Sequence, residues 1–271
     1  MEFPLKRLRS AGFGSSLVLS GALLTSMMMS AGCSDVITYS KDFTNNGIKL
    51  YNQGEYADAA GSFRSATRQD PRRYEAWYYM GASYDQLKSH GQAIQAYKTG
   101  LDVMQTTVTG RQDLEYRAKL LDALAASIAA DSDRQGHIDM LVNDARKTQK
   151  SEDYLVLAKI FRTTGDADTS LDYYQSAALL DRDNVLVQKE YGLYLEQLGQ
   201  ARRAETPLRR AYALNPKDEQ VSSALRRIGV VPGPSLKDEG ELISPLVPRG
   251  PLPELKLPTI GSGAAPEQPR D

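Results

Sequence analysis

The feature that most restricts what this chain can fold into is a repeat of its own sequence at an offset of 34 residues. Phe43 and Trp77 stand 34 apart, as do Gly47 and Gly81, Ala59 and Ala93, and Phe63 and Tyr97. The same offset returns later as Ala158 and Gly192, Gly165 and Gly199, Tyr174 and Leu208, and Ala177 and Ala211. Self-similarity at a fixed period means one small structural unit copied and stacked, because a single unit cannot bury its apolar face alone.

Each copy reads as two helices. Trp77, Met80, Gly81 and Tyr84 follow the three-and-four spacing of one helix face, and Gly81 lets a neighbouring helix come close. Gly54 or Gly199 breaks the first helix into a tight turn. The second helix then sets small Ala59 or Ala204 against the first and offers Phe63 or Leu208 to the core, until Pro71 or Pro216 stops it.

A period of 34 with these small residues resembles the tetratricopeptide repeat. The resemblance implies an all-α fold, a right-handed solenoid of helix pairs. Repeats fall at 40–73, 74–107, 151–184 and 185–218, with a longer, divergent pair at 108–150. Residues 219–228 complete the array at 40–228 as a polar-backed capping helix, carrying Val221, Ala224, Leu225 and Ile228 on one face.

The two ends differ from this body. Residues 1–32 carry Lys6, Arg7 and Arg9 and then an apolar, small-residue run to Met29, the layout of a secretory signal peptide. Its serines and threonines make it a poor membrane span. The run ends Ser30-Ala31-Gly32-Cys33, and Cys33 is the single cysteine of the chain, so it can form no internal disulfide. These residues resemble the lipobox of bacterial lipoproteins, although Ser30 stands where that family usually has Leu. The resemblance implies lipidation at Cys33, with acyl chains such as palmitate, and a membrane-anchored protein of the cell envelope that faces the periplasm or exterior. Each buried methylene contributes about 0.8 kcal/mol to such an anchor. Ordinary cleavage after Gly32 is the alternative. Residues 33–39 form the linker to the first repeat, at most about 25 Å if extended at about 3.5 Å per residue.

At the other end, nine of the 13 prolines lie between Gly229 and Asp271. Proline lacks an amide donor and the stretch has too few aromatics for a core, so 229–271 is expected as a disordered, Pro-rich tail. Its PxxP strings, such as Pro245-Leu246-Val247-Pro248, are common in any tail of this composition, and a solvated spacer is the simpler expectation.

With 33 Lys+Arg against 34 Asp+Glu, no basic surplus points to nucleic acid. No nucleophile elbow, phosphate loop or His-Glu-x-x-His pattern is present, so no enzyme activity and no cofactor is expected. His90 and His137 sit beside glycines at expected turns and are taken as exposed. Asp131-x-Asp133-x-Gln135-Gly136 opens like a calcium loop, yet the closing position holds Val142 in place of Glu, so no metal is expected. The aspartates are expected to cap the helix beginning near Arg134, and Asp181 and Asp183 to cap likewise at a repeat boundary.

In tetratricopeptide arrays the first helix of each repeat lines the concave face. Carried onto this sequence residue by residue, that rule places Lys41, Thr44, Ile48, Tyr51 and Asn52, then Glu75, Tyr78, Ala82, Asp85 and Gln86, then Glu152, Leu155, Lys159, Arg162 and Thr163, then Leu186, Lys189, Leu193, Glu196 and Gln197 in the groove. Tyr51, Tyr78, Asp85, Lys159, Arg162 and Lys189 are the candidate contacts for a partner protein, as a peptide or helix segment with an acidic stretch. Thr44 and Ile48 stand where the chaperone-tail clamp has Lys and Asn, which disfavours that subfamily. The function expected is a non-catalytic protein-protein interaction scaffold of the envelope, similar to the lipoproteins that assemble pilus secretins, outer-membrane proteins or cell-wall complexes. The alternative is a structural spacer that self-associates and spans between envelope layers through its tail.

Overall fold

The computed structural model describes residues 32–107, 111–233 and 236, with side chains from 41 to 104, from 113 to 233 and at 236. The expected signal peptide, the side chain of Cys33 and nearly all of the Pro-rich tail lie outside the described residues. Among the described residues the secondary structure is helical, eleven helices without a strand: α1 (Gly32–Asn52), α2 (Tyr56–Gln69), α3 (Tyr74–Gln86), α4 (His90–Thr107), α5 (Arg111–Ala130), α6 (Arg134–Thr148), α7 (Ser151–Thr164), α8 (Ala167–Leu180), α9 (Val185–Gln197), α10 (Ala201–Leu214) and α11 (Glu219–Arg227).

The helices pair as the period demands. A Cβ added at Gly47 would lie 2.6 Å from the Phe63 ring, at Gly81 2.5 Å from Tyr97, and at Gly192 2.7 Å from Leu208. In each case a large residue of the second helix occupies the space a side chain would need, which is why the small and large positions recur together. Phe63, Tyr97, Tyr174 and Leu208 are all essentially solvent-free, and each such burial stabilises by roughly 1.5–3 kcal/mol. The turn inside four of the five pairs takes a left-handed residue. Gly54, Gly165 and Gly199 supply it at φ +82°, +85° and +74°, whereas the second repeat uses Lys88 at φ 57° and accepts the strain.

Between repeats, caps do the joining. Asn184 accepts from the amides of Leu186 and Val187, and Asp218, one period later, accepts from Gln220 and Val221. The aspartates expected as caps behave otherwise. Asp133 occupies the N-cap of α6 without a side-chain cap bond, and Asp131 instead accepts from the Asp133 amide at 2.7 Å. Asp181 ends α8 and accepts from the Asp183 amide at 3.2 Å, which leaves the capping of α9 to Asn184.

Two departures from the sequence expectation shape the array. First, α1 begins at Gly32, so the stretch 33–39 is helical and rises about 10 Å at about 1.5 Å per residue in place of an extended linker. Second, α5 is 20 residues long against 13 for α3, and it packs against α3 and α4 on one side and α7 on the other. The buried apolar residues form two clusters, one running from α2 to α9 and a smaller one of Leu195, α10, α11 and Leu236. Tyr191 and Leu171 touch both, so the seam lies along α9.

Candidate functional site

The inner helices α1, α3, α7 and α9 carry the residues that the repeat rule assigns to the groove, and α5 stacks between α3 and α7. At the amino-terminal end these are rings. Tyr51 of α1 meets Tyr79 edge-on at 5.9 Å, Tyr79 meets Tyr78 at 5.1 Å, and Tyr78 meets Tyr116 of α5 at 6.0 Å. Tyr74 closes the row against Tyr116 at 5.4 Å. Edge-to-face contacts of this kind hold rings at fixed angles with little rotamer entropy to lose. All five rings are half-buried, so each supports its neighbours and still presents a face to solvent. Tyr74 donates to Asp113 at 2.7 Å and Tyr116 to Glu75 at 2.9 Å. Burial, then the bond to Asp113, pushes Tyr74 up to about 12, and burial also raises Tyr78 and Tyr51. These phenols stay protonated and able to donate across the physiological range.

Asp85 does not face a partner alone. Its carboxylate accepts from Tyr97 Oη at 2.8 Å, from Ser127 Oγ at 2.7 Å and lies 3.0 Å from His90 Nδ1. It therefore ties α3, α4 and α5 together, because four polar groups from three helices satisfy one another. His90 is accordingly the first residue of α4 and not an exposed turn residue. His137 likewise lies inside α6, with Nε2 3.8 Å from Asp131.

The cations of the far half are also engaged. Lys159 is only 8% exposed, and its Nζ lies 2.6 Å from Asp122 and 2.8 Å from Glu190. Burial acts to lower its pKa, but Glu190, Tyr174 and Asp122 together outweigh this and raise it. Arg162 lies 5.5 Å from the Tyr194 ring and 3.7 Å from Glu190, with its outer edge exposed. Lys189 pairs with Asp218 at 2.7 Å. Two bidentate forks continue the series, Arg117 on Glu152 at 2.5 and 2.7 Å and Arg227 on Glu196 at 2.7 and 2.9 Å. The result is a ladder of charges joining α5 to α7, α7 to α9 and α9 to α11. Thr44, Leu155 and Leu186, also assigned to the groove face, are buried. Packing between the helices covers these positions and takes them out of the groove.

The six candidate residues are thus separated into two groups. Tyr51 and Tyr78 share one ring surface, whereas Asp85, Lys159, Arg162 and Lys189 lie in side-chain networks between helices. The carboxylates Asp122, Glu190 and Asp218 were missed in the sequence, whereas Glu152 is assigned to the groove face. A signal for some of them was present: Lys159 and Glu190 are 31 apart, as are Glu196 and Arg227, so an opposite-charge pair offset slightly from the period marks contact between successive inner helices.

Residues 44–102 and 155–219 match the tetratricopeptide repeat family, and the chain carries tetratricopeptide repeats over these spans. Among solved structures the fold is similar to TTC0263, a thermophilic tetratricopeptide protein of Thermus thermophilus, at 17% identity, covering 70% of this chain and 98% of that one, with a TM-score of 0.41. It is similar also to YrrB, a tetratricopeptide protein with an unusual peptide-binding site, at 14% identity, covering 72% and 98%, with a TM-score of 0.35. PilF of Pseudomonas aeruginosa is similar at 14% identity, covering 77% and 99%, with a TM-score of 0.34. No curated protein matches the chain.

Proposed function

We propose that this chain is a non-catalytic interaction scaffold of a bacterial cell envelope, anchored by lipid at Cys33, which takes a segment of a partner protein on the tyrosine surface of α1, α3 and α5. The observation that carries the reading is the row Tyr51, Tyr79, Tyr78, Tyr116 and Tyr74, rigid, half-exposed and spread over three inner helices. Tyrosine gives large contact area at low entropic cost, and such residues dominate interface centres. Because Lys159 and Lys189 are already neutralised, the segment accepted is one with apolar or aromatic side chains and free backbone carbonyls. An acidic run finds only the edge of Arg162.

The test places a photo-crosslinking residue at Tyr78 in growing cells, with Leu198 at the exposed turn after α9 as control. A discrete crosslinked species at position 78 and none at 198 is expected; identical patterns at both positions would remove the tyrosine surface from the mechanism. The envelope part rests on Lys6, Arg7 and Arg9, the apolar run and the small residues before Cys33. Metabolic labelling with a lipid precursor should mark the protein and fail to mark Cys33→Ala. Equal label on both proteins would overturn it.

A further inference from the structure

Around Gln188 and Tyr191 of α9, the helices α8, α9 and α10 border an open cleft of about 400 Å³. Four arginines line it, Arg182 from the turn between α8 and α9 and Arg202, Arg203 and Arg210 from α10. Four like charges around one depression repel one another and are costly unless an anion completes them. Elsewhere in this array Arg117, Lys159, Lys189 and Arg227 between helices have carboxylate partners, and Arg209 in the same helix is held by Glu205 at 2.8 Å. Among the described residues Arg182, Arg202 and Arg210 make no ion pair, and Arg203 turns to Gln200 and Tyr191. Burial, and next to it the Arg182 guanidinium, lower the pKa of Arg210, opposed only by Asp183.

We propose that this cleft binds an acidic segment of a protein partner, with Arg182, Arg202, Arg203 and Arg210 gripping successive carboxylates. Length selects the ligand. Arg202 and Arg210 are eight residues apart on one helix, so the guanidinium row runs about 12 Å at about 1.5 Å per residue. That length suits three or four residues of extended chain at about 3.3–3.6 Å each, and a lone phosphate would engage a fraction of it. Guanidinium forks take carboxylates in bidentate pairs, which gives the site orientation as well as charge. Leu179, 38% exposed, and the in-helix Pro207 offer an apolar patch between the arginines for the aliphatic stems of the same segment. The site lies on second helices, away from the tyrosine surface, and does not depend on that reading.

The experiment measures fluorescence anisotropy of labelled hexaglutamate with the full chain at low salt, with labelled hexalysine as control and inorganic phosphate as competitor. Hexaglutamate should bind and hexalysine should not. The variant carrying Arg182→Gln and Arg210→Gln should weaken binding about tenfold or more, a change of about 1.4 kcal/mol or more. Met140→Ala, an exposed residue of α6 outside the cleft, should leave the affinity unchanged. Far-UV circular dichroism checks folding, and the exposed pair Arg202→Gln and Arg203→Gln gives a second route to the same loss. Failure of hexaglutamate to bind, or wild-type affinity in both double variants, overturns the proposal. Complete displacement by phosphate at concentrations matching the peptide's own affinity overturns the segment and leaves a small-anion site.

Discussion

From α1 to α5, successive inner helices meet ring to ring, as Tyr51, Tyr79, Tyr78 and Tyr116 do. From α5 to α11 they meet charge to charge, through Lys159 between Asp122 and Glu190, Lys189 on Asp218, and Arg227 on Glu196. Both solutions stack the same unit, yet they leave different surfaces. Rings stabilise chiefly through area and remain sticky on whichever face is uncovered. A paired charge is spent on its partner, and once matched offers a passing ligand little. One array therefore has an aromatic half and a charge-paired half on the same face.

Emptying a ring socket in the first half is the largest perturbation. Tyr97→Ala leaves a cavity opposite Gly81 and takes one hydrogen-bond donor from Asp85, so a loss of about 3–5 kcal/mol is expected in urea unfolding. A loss under about 1 kcal/mol, the scale of a surface change, would mean that the aromatic half is not a packed core.

The matching stroke in the second half is Lys159→Ala, which leaves Glu190 and Asp122 facing without a cation. Breaking a buried pair costs about 3–5 kcal/mol, and with Asp122 58% exposed to water about 2–3 kcal/mol is expected. Adding Glu190→Gln should restore part of it. If both single variants and the double lose equal stability, the ladder is decoration and the contrast between the halves collapses.

A smaller effect sharpens the comparison from the turn. Lys88 holds the left-handed position that glycine fills at the equivalent point of three other repeats, so Lys88→Gly should stabilise the chain by about 0.5–1 kcal/mol. The gain belongs to the amino-terminal half, and hydrogen exchange should show slower opening of α3 and α4.

The smallest effect is one of pH. The hydrogen bond from Arg227 holds the Glu196 carboxyl below its ordinary value of 4.5. A depressed carboxyl contributes stability above its unfolded value, and that contribution disappears as pH falls through the lower folded value. Acid should therefore loosen α11 from α9, and Glu196→Gln should flatten that part of the pH–stability curve. An unchanged acid limb in the variant would take this rung out of the ladder.

Much of the fold was legible because the period writes packing directly into residue size. Gly81 opposite Tyr97 and Gly192 opposite Leu208 are visible as small and large residues at fixed offsets, and Gly54 and Gly199 mark their turns. What the period does not encode is depth. It places Lys159 on the inner face but says nothing of α5, whose Asp122 pairs with it and turns an expected ligand contact into a buried tie. The same holds for Asp85, which needs Ser127, 42 residues on, to become a knot. Caps failed for a related reason: Asp181, Asp183 and Asn184 are close neighbours, and only backbone geometry decides that Asn184 meets the free amides.

Leu236 sits 4% exposed against Val221, Ala224 and Leu225, brought back by the turn at Gly229, where φ is +86°. Solenoids grow by laying the next unit on the bare face of the last, and identical molecules with bare faces at both ends would thread into filaments. Here the chain plugs its own final face. The array is thereby given a terminus as well as a repeat, and copies of it cannot be added head to tail at that end without first dislodging Leu236.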